Sequence, residues 1–295
     1  MLYYHPEYFA NLGNHVFPME KYSLVLEELK KKGHIKDEEI ISPEYPQDED
    51  ILLVHTPEYY SRVKTLSLSY PEILRLELPL TREVVRAFHW HVGGTISALK
   101  NALRGGKGIN VGGGFHHAFP DHGEGFCLFN DVAIAIRKGL KENWFSRVLI
   151  IDLDLHQGNG NAFIFREEKE VFTFSMHQEE NYPLPKIPGD RDIGLPDGTG
   201  DEKYLAILEK ELSLIFKTFS PEVVIYIAGV DPFKGDILGG LNLTREGMRR
   251  RDELVRDWVN RYQIPVVVTL GGGYARRLED TVSLHAQTLE VFLFC

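Results

Sequence analysis

Val148-Leu149-Ile150-Ile151 runs without a break into Asp152-Leu153-Asp154-Leu155-His156, and this stretch decides how the rest of the chain is read. A short, continuous apolar run rich in β-branched residues is the pattern of a strand buried on both faces of a parallel sheet. The polar residues that follow alternate with leucine, so Asp152, Asp154 and His156 point the same way at the carboxyl end of that strand. Working outward, the design recurs at Ile109-Asn110-Val111, Val171-Phe172-Thr173-Phe174, Val223-Val224-Ile225-Tyr226-Ile227 and Val266-Val267-Val268-Thr269-Leu270. Between these runs lie stretches of helical period: Tyr22 to Leu29, Val84 to Leu103 after Thr81, Val132 to Leu140 after Asn130 and Asp131, and Tyr204 to Phe219 with Asp201 as N-cap. Buried strands alternating with amphipathic helices predict an α/β fold, a mostly parallel sheet covered on both faces. No repeat, low-complexity tract or Ser/Gly-rich linker interrupts the pattern, so residues 1–295 read as a single domain.

Composition narrows the function classes. With 43% hydrophobic residues among 295, the chain can bury a large core, which excludes a disordered protein. Two cysteines, Cys127 and Cys295, are too few for a disulfide framework or a cysteine-rich zinc module, and twelve histidines leave imidazole and carboxylate as the metal ligands available. The net charge of −10 argues against nucleic-acid binding, which needs a basic face to displace counterions. The one tight basic cluster, Arg249-Arg250-Arg251, reads as a solvated helix face. No apolar run is long enough to span a membrane, and the first residues lack the basic-then-apolar design of a signal peptide. A cytoplasmic, reduced setting is expected.

The strand exits carry the chemistry. Open parallel sheets bind ligands beyond the carboxyl ends of their strands. Here those ends lead into Gly112-Gly113-Gly114-Phe115-His116-His117, Asp154-Leu155-His156, Ala228-Gly229-Val230-Asp231 and Gly271-Gly272-Gly273-Tyr274. Asp154 and His156 can grip one ion, and Asp231 would complete a three-ligand site with an open position, the catalytic type of zinc site. Taken alone, the Asp-x-Asp-x-His pattern also fits a hydrogen-bonded polar strand end. The glycine runs lack the spacing of dinucleotide or P-loop motifs. Tandem histidines can act as base and acid near neutral pH, and Tyr274 can donate its hydroxyl to an oxyanion. Together these elements describe metal-assisted hydrolysis of an acyl bond.

Four runs resemble the zinc-dependent histone deacetylase superfamily: INVGGGFHHAFPDHGEGFCLFNDVAIAI at 109–136, VLIIDLDLHQGNG at 148–160, VVIYIAGVDPFKGDILGGLNL at 223–243 and VTLGGGYARR at 268–277. Within it, HQGNG, GDILGGL, RRDELV and GGGYARR are most similar to class IV members. The resemblance implies an arginase-deacetylase type fold, a three-layer α/β/α domain around about eight strands. It implies Asp154, His156 and Asp231 as zinc ligands, with Fe2+ or Co2+ as alternatives. It makes His116 and His117 the tandem pair, the second the general base and acid, and Tyr274 the group that polarises the carbonyl. Asp152 would orient His116, and Asn159, an aspartate in class I members, would sit beside His117 and leave it neutral. A structural K+ or Na+ would lie near Asp152, Asp154, His156 and Ser175.

The resemblance also implies a substrate tunnel along Gly125, Phe126, Leu238 and Gly272. The wall facing Phe126, aromatic in many relatives, falls here on Ile187, which predicts a less aromatic, wider tunnel that accepts acyl groups longer than acetyl. The aspartate that grips the substrate backbone in class I enzymes has no match between Leu66 and Leu80.

The resulting expectation is hydrolysis of Nε-acyl-lysine in a protein or peptide. An acetylpolyamine or other small acylated amine is the alternative substrate, and a non-catalytic acyl-ligand binder the alternative of another class. An arginase-type ureohydrolase would need more bridging aspartates. Oligomeric state stays open.

Overall fold

The computed structural model describes residues 1–294, and Cys295 lies outside the described residues. In chain order the elements are β1 (Leu2–Tyr3), α1 (Lys21–Lys31), β2 (Ile40–Ile41), α2 (Asp48–Ile51), α3 (Pro57–Lys64), α4 (Tyr70–Leu76), α5 (Arg82–Gly105), β3 (Lys107–Asn110), α6 (Asp131–Lys141), β4 (Val148–Asp152) and α7 (Asn159–Phe165). They continue with β5 (Val171–Gln178), β6 (Arg191–Leu195), α8 (Asp201–Thr218), β7 (Val223–Ile227), α9 (Arg245–Arg261), β8 (Val266–Thr269) and α10 (Leu278–Leu293). Thr81 and Asn130 cap α5 and α6 as their spacing predicts, accepting from the amides of Val84 and Ala133. Asp201 does not cap α8. Gly200 holds that place, and the Asp201 carboxylate instead accepts from the Thr244 amide and hydroxyl.

The eight strands form one sheet in the order β2-β1-β3-β8-β7-β4-β5-β6, every neighbouring pair parallel. This is the α/β/α architecture of the arginase-deacetylase type. β4, β7 and β8 are buried along their whole length. Each buried Val or Ile there contributes on the order of 1.5–3 kcal/mol, so the tightest core lies under the middle of the sheet. α5 packs on β3 and β8 with α6 beside it, whereas α10, α9 and α8 pack side by side and reach β7 through Phe292 and Asp252 at Tyr226.

This arrangement sets the site. The four strands whose exits carry the motifs, β3, β8, β7 and β4, are consecutive in the sheet. Register pairs Asp152 with Ile227 and Ile227 with Thr269, so the exits leave the sheet level with one another. β1, β2 and β6 complete the edges and carry no signal in the sequence: β1 and β2 are two residues long and have no period, and the five residues of β6, RDIGL, form no continuous apolar run. Arg249 and Arg250 are exposed, but Arg251 is wholly buried, which corrects the reading of all three as a solvated face. No described helix is long and apolar enough to cross a membrane.

Candidate active site

Asp154, His156 and Asp231 converge, each buried and each offering a ligand atom within 4.8 Å of the others. His156 Nδ1 lies 3.2 Å from both Asp154 Oδ1 and Asp231 Oδ2. The remaining lone pairs are tied down by backbone: Leu155 N–H donates to Asp231 Oδ1 at 2.9 Å, and Gly272 N–H to Asp154 Oδ2 at 2.7 Å. Asp231 Oδ2, by contrast, is buried and accepts no hydrogen bond from any described residue. A buried carboxylate oxygen without a donor is costly unless a cation meets it, so this donor set fits a divalent metal. Burial works against charge on His156, but the two carboxylates outweigh it and hold its pKa up to about 10. Burial and then Asp154 push Asp231 up to about 6.

The tandem histidines lie beside this cluster with different partners. His116 Nδ1 is 2.7 Å from Asp152 Oδ2, and His117 Nδ1 is 2.7 Å from Asn159 Oδ1. Burial lowers both imidazoles, but the charges of Asp152 and Asp154 reverse this for His116, whose pKa rises to about 9. His117 has no such carboxylate. Burial, then the neighbouring His116 and His156, push it well below the usual imidazole range, so it rests neutral. Asp131 sets the backbone of the pair by accepting from the amides of Gly114 and Phe115. Gly113 and Gly114, at φ 68° and 85°, allow the turn that delivers them.

Tyr274 closes the cluster from the β8 exit. Its amide donates to Asp236 Oδ2 at 2.6 Å, fixing the loop. Burial and then Asp231 and Asp154 push its phenol well above the usual value, so the hydroxyl stays a donor. A channel of about 250 Å3 leads to these groups, lined by Gly125, Phe126, Leu238, Tyr274, His117 and His156, with Glu77, Asn181 and Tyr182. It narrows to a floor of about 20 Å3 between Gly114, Cys127, Gly271 and Gly272. Gly272 therefore belongs to the floor, where a Cβ would stand 2.2 Å from Asp231 Oδ2.

Ile187 does not line the channel, which corrects the expectation of a less aromatic wall. Its amide and carbonyl are both engaged by the Gln157 side chain, and its side chain borders a neighbouring hollow. Tyr182 supplies the second aromatic wall, its ring 5.0 Å from that of His117. Phe126 holds φ 64°, and its amide donates to Leu76 O at 3.0 Å, so the wall is anchored to the end of α4. Ser175 lies opposite Asp152 in register, and its hydroxyl is bonded to His177 Nδ1. Asp152 Oδ2 meets His116 Nδ1, and Asp152 Oδ1 accepts from the Asp154 amide.

Several contributors were not read from the sequence. Lys21, wholly buried, donates to Gly271 O at 2.8 Å and sits 5.7 Å from the Tyr274 ring centroid. Arg251 donates to Leu153 O and Gly229 O, clamping the β4 and β7 exits from behind. Both lie on apolar stripes of their helices, with Val25 and Leu29 for Lys21 and Met248, Val255 and Trp258 for Arg251, and that placement was the available signal. Glu124, Tyr182 and Glu77 gave none.

An open parallel sheet with an acid-rich triad at its central exits is the arrangement of the arginase-deacetylase class of α/β folds. A model of the histone deacetylase domain matches residues 15–289, and the chain belongs to the histone deacetylase family. It is 42% identical over 284 residues to an uncharacterised protein of Picosynechococcus sp., covering 96% of this chain and 95% of that one. It is 34% identical to histone deacetylase 2 of Arabidopsis thaliana, over 91% and 73% of the two chains. It is 29% identical to the acetoin utilization protein AcuC of Staphylococcus aureus, over 88% and 72%. The crystal structure of an HDAC homolog from Aquifex aeolicus superposes with a TM-score of 0.84 at 26% identity, covering 98% of this chain and 83% of that one.

Proposed function

We propose that this deacetylase-family hydrolase cleaves Nε-acyl-lysine amides in proteins or peptides, in a metal-dependent reaction with zinc as the ion. The observation that carries the reading is the buried triad with its unsatisfied Asp231 oxygen, at the foot of a channel that also meets a neutral imidazole and a phenol. An ion held by Asp154, His156 and Asp231 would polarise the amide carbonyl and make a water more acidic. His117 receives the proton of the attacking water at Nε2 and returns it to the departing amine. The Tyr274 hydroxyl donates to the carbonyl oxygen as it gains charge. His116, held by Asp152, carries positive charge beside the reacting centre.

Phe126 and Tyr182 would flank the aliphatic part of the lysine. With two aromatic walls the ground for expecting longer acyl chains is gone, and the narrow floor suits acetyl. The class IV likeness rests on the motif runs, and the monovalent site on backbone oxygens around Asp152 and Ser175. Residues 1–295 would act as one catalytic domain, and the buried free thiol of Cys127 suits a reduced cytoplasm. A small acylated amine is the second reading, favoured by the Glu77 carboxylate on the channel lining, which would attract a distal ammonium.

The test is turnover of acetyl-lysine peptides, octanoyl-lysine peptides and acetylated polyamines by zinc-loaded protein, beside Tyr274→Phe. Peptide deacetylation that falls steeply toward octanoyl supports the reading. Turnover of polyamines alone would move the assignment to small amines, and an inert, metal-free wild type would overturn it.

A further inference from the structure

We propose that Glu124 is a positioning residue for the base: acting through the Asn159 amide, it fixes which nitrogen of His117 carries the proton. The inference rests on the reading of His117 as the base, and it answers a problem that reading leaves. An aspartate beside an imidazole only accepts, so by itself it fixes a proton on the facing nitrogen, as Asp152 does at His116 Nδ1. An asparagine offers an acceptor at one end and a donor at the other, and a half-turn of the amide exchanges them. Asn159 alone could therefore hold His117 with Nδ1 protonated, leaving Nε2 free as a base, or with Nε2 protonated and useless.

Glu124 breaks that symmetry. Its Oε1 lies 2.7 Å from Asn159 Nδ2, while Asn159 Oδ1 lies 2.7 Å from His117 Nδ1. An ionised carboxylate accepts only, so the amide must turn its NH2 toward Glu124 and its oxygen toward His117. That oxygen accepts only, so the Nδ1 position carries the hydrogen and Nε2 keeps its lone pair. Burial opposes charge on Glu124, but hydrogen bonds from His122, Asn159 and Tyr182 outweigh it and hold the carboxyl below its ordinary value. The carboxylate is fixed in turn by its backbone: Glu124 N–H donates to Cys127 O at 3.1 Å, and Cys127 N–H to Glu124 O at 2.9 Å. The tight turn so formed contains Gly125 and Phe126, so one short segment supplies both a wall of the channel and the residue that sets the base. Asn159 is 2% exposed, so its amide is held mainly by these two side chains. Glu124 and Asn159 thus divide between two side chains what Asp152 does with one.

The experiment uses zinc-loaded protein with 15N-labelled histidine, comparing wild type, Glu124→Ala, Glu124→Gln and Glu124→Ala/Asn159→Asp. The imidazole 15N shifts report the tautomer, and acetyl-lysine peptide turnover reports kcat and KM separately. In wild type His117 shows protonated Nδ1 and free Nε2. In Glu124→Ala the two tautomers mix, kcat falls about 10–100-fold and KM changes little, since the wrong tautomer disables a base without moving it. Glu124→Gln, which keeps the volume, gives a smaller loss in the same direction. Adding Asn159→Asp to Glu124→Ala restores the Nδ1–H form, and kcat recovers above the acidic limb, which the new carboxylate shifts upward; a merely structural defect would allow neither. An unchanged tautomer in Glu124→Ala overturns the proposal. So does a folded Glu124→Ala/Asn159→Asp protein that recovers neither tautomer nor rate. If no substrate turns over in wild type, the function fails but the 15N shifts still decide the relay.

Discussion

His116 and His117 are neighbours in sequence, both almost fully buried, both bonded through Nδ1 at 2.7 Å, and yet one is held charged and the other neutral. The difference lies in one atom of each partner. Asp152 puts a full negative charge against His116 and raises its pKa to about 9. The Asn159 amide puts only a dipole against His117, which burial and its neighbours then keep neutral. On the proposed function, two imidazoles a few ångströms apart would thereby take different duties, one a fixed positive charge and the other a base. A buried site assigns roles through what its side chains touch rather than through residue type.

Removing the base should break this contrast most visibly. His117→Ala is expected to lower kcat about 10³-fold while leaving zinc affinity within about threefold, measured by single-turnover kinetics and chelator competition. An equal loss of metal would mean that His117 supports the ion rather than the proton. Tyr274→Phe should cost about 10²-fold in kcat with little change in KM, since it removes one donor to the developing oxyanion.

Metal uptake tests the contrast from the other side. In the metal-free protein His156 is held protonated to about 10, and the ion must displace that proton. Zinc affinity should therefore rise about tenfold per pH unit as pH climbs toward 10, with a second proton joining below about 6 from Asp231. Titration calorimetry in buffers of different ionisation enthalpy counts the protons released, and a count near zero at pH 8 would refute the account. Gly272→Ala, whose methyl would stand 2.2 Å from Asp231 Oδ2 and 2.8 Å from Asp154 Oδ2, should weaken zinc about 10–100-fold without moving the His117 tautomer.

The subtlest change sharpens the comparison by erasing it. Asn159→Asp gives His117 the kind of partner His116 has, so the imidazolium gains stability and its pKa rises. The acidic limb of the pH–rate profile, where the base is lost to protonation, should shift upward. An unchanged limb would mean that residue 159 does not govern this imidazole.

How much of this was legible beforehand follows the same division. Strands such as Val148-Leu149-Ile150-Ile151 and helices such as α5 announce themselves by period, because both faces of a central strand and one stripe of a helix must be apolar. The triad and the tandem pair were legible because each sits at a fixed offset from such a strand. The channel wall was not. Ile187 and Tyr182 occupy one irregular segment, and which of them turns inward depends on Gln157 capturing the Ile187 backbone, a contact with no periodic trace. Glu124 is hidden for a related reason, since its partner Asn159 is 35 positions away on another element. Arg251 was misread because three consecutive arginines suggest a surface, although helical spacing puts only the third on the apolar stripe with Met248 and Val255.

The central claim is that Asp154, His156 and Asp231 hold the ion on which hydrolysis depends. It is tested most directly by following acetyl-lysine peptide turnover as metal-free protein is titrated with zinc. Turnover should rise in proportion to added zinc, level off at one ion per chain, and be absent from Asp231→Asn at the same loading. Turnover that is independent of zinc, or undiminished in Asp231→Asn, would contradict it.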